Sequence, residues 1–167
     1  MEASDDEFYK ALVGEDELGR LVRGHLFLEQ EMWALARFVF KFPDQLDGAR
    51  LRFPQLVHVL SAIGLDRDFV PPLLEINTLR NRFAHNLGAT FGEKEWCQVW
   101  GRCSERERHV MRNSFLRSGR DYGLDSEKLG PADKLVLKIV TLRQGIRAAR
   151  YQAGDNSVQH RPATTTK

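Results

Sequence analysis

Arg80, Asn81 and His85 fall within the run Leu79-Arg80-Asn81-Arg82-Phe83-Ala84-His85-Asn86. An arginine offers a fixed cation with a planar fork of donors that fits a phosphate or a carboxylate. An asparagine can donate or accept a hydrogen bond, and a histidine can move a proton near neutral pH. An Arg-Asn-x-x-x-His run can therefore do acid–base chemistry beside a phosphate without a metal.

The segment that carries these residues has helical periodicity. At 100° per residue, Leu73, Ile76, Leu79, Phe83, Ala84 and Leu87 share one apolar arc, while Asn77, Asn81 and His85 form a separate stripe. Arg80 falls between Ile76 and Leu73, inside the apolar arc. A guanidinium there needs a carboxylate, carbonyls or a cavity, because an unpaired buried charge is very costly. One reading is a buried ion pair, with Glu29 as the partner. The other is an anion-binding cation in a cleft. His85 also has two readings: the cap of its own helix, or an acid–base group. The two side chains lie about 140° apart on an ideal helix. They converge if the helix bends or if a second copy completes the site, which favours a symmetric dimer interface.

Other combinations are weaker. His25 and Glu29 are spaced four apart, which suits a pair of metal ligands, but two ligands make no site and a packing histidine is the stronger reading. Trp96 and Trp100 read as core ahead of a stacking platform for bases. Arg143, Arg147 and Arg150 line one face near the C-terminus, read as solvated, with nucleic-acid contact as the alternative. Cys97 and Cys103 lack histidine neighbours and form no zinc motif. The sequence has no glycine-rich phosphate loop, no Gly-x-Ser-x-Gly elbow and no carboxylates spaced for Mg²⁺, so no cofactor and no metal are expected.

The elements that must position the motif are helical throughout. Gly14 ends a short helix that begins near Asp5 or Asp6. Asp16 to Phe42 carries Leu18, Leu21, Val22, Leu28, Met32, Leu35 and Val39 on one stripe, and Pro43 stops it. Pro54 starts a helix that Gly64 caps in the left-handed region, and Pro71-Pro72 start the motif helix. Helices are expected over about 93–100 and 104–117, and from Pro131 onward with Leu135, Ile139, Leu142 and Ile146 on one face. Residues 1–150 read as one domain and 151–167 as a disordered tail.

The 167 residues are 42% hydrophobic and 29% charged, which suits a globular chain with a real core. The net charge of +2 is unevenly spread, with +7 over residues 102–167 and −5 over residues 1–101. The acidic start and the short apolar runs predict a cytoplasmic chain with reduced thiols and no membrane association.

Three stretches resemble the mannitol operon repressor family: Gly24-His25-Leu26-Phe27-Leu28-Glu29, the segment from Phe53 to Gly64-Leu65, and Leu79 to Asn86. That family is similar to the wider HEPN class of helical bundles. The resemblance covers about residues 16–117. It implies an all-α, HEPN-like bundle of four to five helices, with short additional C-terminal helices here, that often dimerises. In HEPN ribonucleases the corresponding Arg and His form a metal-independent RNA-cleaving site, usually with a polar residue after the Arg. Carried over, these are Arg80, Asn81 and His85. Asn86 stands where antitoxin-partnered HEPN toxins usually have a Tyr, and no helix-turn-helix accompanies the motif. The expected function is therefore a mannitol-repressor-like regulator that acts by binding a partner and forms a homodimer. The alternative is an RNA endonuclease of toxin or defence type using Arg80 and His85, with Glu29 and Asn77 as structural partners of the motif.

Overall fold

Asp16 begins the first long helix. Its carboxylate accepts from Gly19 N at 2.6 Å and so satisfies one of the amides that a helix N-terminus leaves open. The computed structural model describes Phe8, Lys10, Leu12 and residues 14–86, 88–122 and 129–159. Among the described residues from Asp16 onward, seven α-helices follow in order: α1 (Glu17–Val39), α2 (Asp44–Ala49), α3 (Phe53–Ala62), α4 (Val70–Ala84), α5 (Glu93–Arg102), α6 (Glu105–Tyr122) and α7 (Pro131–Gln159). A 3₁₀ turn over Arg67–Phe69 leads into α4. No strand occurs among the described residues, so the chain is an all-α bundle.

Each boundary has a local cause. Pro54 lies in the first turn of α3 and Pro71 in that of α4, where a missing N–H costs nothing. Gly64 takes φ +123° after α3, and Leu65 N then donates to Leu60 O at 2.9 Å, closing the helix end. Ser104 and Glu107 cap the start of α6 reciprocally: Glu107 accepts from Ser104 N, and the Ser104 hydroxyl accepts from Glu107 N, both at 3.2 Å.

α1 and α7 form the centre of the bundle and run parallel. Arg20 pairs with Asp133, Gly24 meets Ile139, Glu31 pairs with Arg143 and Phe38 lies against Gly154. Gly24 has no side chain to keep Ile139 off the α1 backbone, which allows this close approach. α4 packs on α1, α3 and α5, so the motif helix is held on three sides. Leu21, Leu28, Met32, Leu56, Leu60, Leu73, Ile76, Leu79, Leu135, Ile139, Leu142 and Ile146 are buried together. Each such side chain contributes about 1.5–3 kcal/mol relative to exposure.

Four expectations need adjustment. α1 stops at Val39 and not at Phe42, because Phe40 is already extended. Helix α2 has no apolar stripe that would announce it. α6 runs on to Tyr122. α7 continues to Gln159 through most of the expected disordered tail; no proline interrupts 151–159, and Gly154 packs on Phe38. Most of the short first helix lies outside the described residues, although Phe8 and Leu12 are helical and buried. Leu87 and residues 160–167 lie outside them as well.

Candidate functional site: the polar end of α4

The last two turns of α4 present the motif at the edge of the bundle. Leu79 and Phe83 anchor the helix in the core, and Asn81 and His85 are exposed. Arg80 is half-buried. Its Nη1 donates to Asn81 Oδ1 at 3.1 Å. Among the described residues no carboxylate forms an ion pair with it, so the expected Glu29–Arg80 bridge is absent. The azimuth of Arg80 does fall in the apolar arc, but the helix is leaving the bundle at that level: Ala84, from the same arc, is exposed. A guanidinium there reaches solvent along its stem and needs no buried partner. Arg82, two positions on, is tied instead to Glu95 at 3.0 Å on α5.

His85 is the C-terminal cap residue of α4, and its backbone N–H bonds to Phe83 O. It has no side-chain hydrogen bond among the described residues, and nothing joins it to Arg80 within one chain. The capping position is the structural reading of this histidine, and its exposed ring leaves it open to contact.

Asn77 is the inner member of the polar stripe, and it serves His25. His25 Nε2 donates to Asn77 Oδ1 at 3.1 Å across the α1–α4 contact. The His25 ring is buried and stacks on Phe53 of α3, with centroids 4.2 Å apart. Its Nδ1 is buried without a hydrogen-bond partner. Burial pushes the His25 pKa below the ordinary histidine value; the Asn77 bond opposes this and the Arg80 charge reinforces it. His25 is thus a neutral packing histidine joining α1, α3 and α4, and no metal pair with Glu29 forms. Among the described residues no group of three or more His, Cys, Asp and Glu side chains could hold a metal ion.

The arginine face of α7 differs from its sequence reading. Arg143 is 3% exposed. It donates from Nε to Glu31 at 2.9 Å and lies 4.5 Å from the Phe8 ring centroid, so it is a core ion pair and not a nucleic-acid contact. Arg147 and Arg150 are half-buried. On the helical wheel Arg143 lies about 40° from Ile139, at the margin of the apolar arc, and that margin faces α1. Trp96 is buried and Trp100 half-buried; both pack with Phe115, as core aromatics do.

One polar cluster was not foreseen. Lys138 is 0% exposed and in direct contact with the Glu107 carboxylate. Ser104, which Glu107 caps, donates to Asp68 at 2.8 Å, and Arg106 reaches Asp66 and Asp68. Cys103 lies alongside; burial pushes its thiol pKa up, partly opposed by Lys138. The wheel gave only a partial signal: Lys138 lies about 40° from Leu142 on α7, at the margin of its apolar arc and on the side opposite Arg143.

No family model matches the chain, and no curated protein or solved structure matches it. No helix among the described residues is long and apolar enough to cross a membrane.

Proposed function

We propose that the chain is a regulatory protein of the mannitol-repressor type, working through a partner that it binds at the polar end of α4. The supporting observation is the openness of the motif. Asn81 and His85 are exposed, and among the described residues the Arg80 side chain hydrogen-bonds to its neighbour Asn81 alone. Three groups with unspent hydrogen-bonding capacity make a contact surface, while the two groups that chemistry would need to join stay apart within one protomer. The first partner is a second copy of the chain, with the α4 ends meeting across a two-fold axis. Sedimentation velocity at micromolar concentration tests this. A dimer that Arg80→Glu with His85→Glu converts to monomer, at unchanged helix content, supports the reading. A monomeric wild type, or a dimer indifferent to the changes, counts against it.

A second reading has one specific observation in its favour. Arg80 has no carboxylate partner among the described residues, so its charge is available to a phosphate. In a HEPN-type ribonuclease, Arg80 would steady the phosphate and His85 would act as acid or base, the pair being completed between two copies.

A further inference from the structure

The C-terminal ends of α1 and α7 carry large rings that the bundle leaves in solvent. Phe38 is 51% exposed, Phe42 67% and Tyr151 62%. Because α1 and α7 run parallel, these ends lie together: a Cβ added at Gly154, one turn beyond Tyr151, would stand 3.2 Å from Phe38 Cζ. Phe42 follows four residues after Phe38, just past the end of α1. Burying such rings is worth more than burying most side chains, so leaving three in water is a cost the fold itself does not recover.

The rings are accompanied by cations. Lys41 Nζ lies 5.4 Å from the Phe42 centroid and Arg150 Cζ 5.8 Å from that of Tyr151. Arg37 Cζ lies 5.8 Å from the ring of Trp33, one turn earlier on α1 than Arg37 itself. Arg37 also makes an ion pair with Asp47 at 3.5 Å, both groups being well exposed, so solvent screens that pair strongly. Lys41 has no carboxylate partner among the described residues. Between the same helix ends opens a cleft of ≈ 170 Å³ lined in part by Val39, Ile63, Ala149 and Ala153.

We infer that this aromatic and cationic surface binds single-stranded nucleic acid. An exposed ring takes the face of an unpaired base, and a cation beside it meets the adjoining phosphate. A duplex keeps its bases stacked on one another, so the rings discriminate against it. The surface is distinct from the motif of α4, and the inference does not rest on the proposed function.

Fluorescence anisotropy with labelled uridine and thymidine oligomers tests it on the full chain. The wild type should bind both, more weakly as salt rises, and should bind a matched duplex less well. Phe42→Ala and Tyr151→Ala should each weaken binding by about fivefold or more, and Phe42→Trp should retain it. Both rings are exposed, so circular dichroism should show the variants folded. The inference is overturned if the wild type does not bind, if the alanine variants bind equally well, or if duplex binds better. It is also overturned if Phe42→Ala turns a dimer into a monomer, because the rings then belong to a second copy.

Discussion

Replacing Glu107 by Gln isolates the charge of a buried ion pair. The amide keeps the shape of the side chain and can still accept from Ser104 N, so the cap of α6 survives. What is lost is the negative charge beside Lys138, an ammonium with no exposed surface. Stranding one member of a buried pair costs about 3–5 kcal/mol. The ammonium can escape by shedding its proton, which for an ordinary lysine at neutral pH costs about 4–5 kcal/mol, so the two routes agree in size. At about 2–4 °C per kcal/mol for a domain of this length, Glu107→Gln should lower the melting temperature by about 6–20 °C. The double change Glu107→Gln with Lys138→Met removes both charges and should recover much of that loss. Thermal melts followed by circular dichroism measure both. A single variant that melts with wild type, or a double variant whose loss equals the sum of the singles, would refute the pair's burial and coupling.

Arg80→Ala should cost less than about 1 kcal/mol in chemical denaturation, since only a half-exposed bond to Asn81 is lost; a loss of several kcal/mol would mean that a buried partner exists. His25 sets a pH dependence. Its folded pKa lies below its unfolded value, so in the window between them the unfolded chain binds the extra proton. Stability should therefore be complete above the ordinary histidine value of about 6.5 and fall as pH drops through the window. Urea titrations of wild type and His25→Leu across that range should show the slope reduced in the variant; equal slopes would mean that His25 is not the group responsible.

Much of the bundle was legible because helix ends are written in residue types. Pro54, Pro71 and Pro131 start helices, and Gly64 ends one, each for a stereochemical reason that neighbours do not override. α2 was not legible because six residues without an apolar stripe carry no periodic signal. The site was half legible. The wheel gives a residue's azimuth but not its depth along the bundle. Arg80 falls inside an apolar arc and Lys138 only at the margin of one, yet Lys138 sits two turns into α7 under α6 and is buried, while Arg80 sits near a helix end and is not. Arg143, at the other margin of the same arc, repeats the Lys138 case: its place looked like surface until α1 covered it. The His25–Asn77 bond joins residues 52 apart in sequence, a distance no local pattern reports.

The most direct test of the regulatory reading is a cleavage assay. Purified protein is incubated with total RNA in EDTA and, separately, in Mg²⁺, beside the His85→Ala variant. A regulator that works by binding leaves the RNA intact in every lane. Cleavage in EDTA by the wild type, abolished in a folded His85→Ala protein, would contradict that account and establish Arg80 and His85 as a metal-independent nuclease pair.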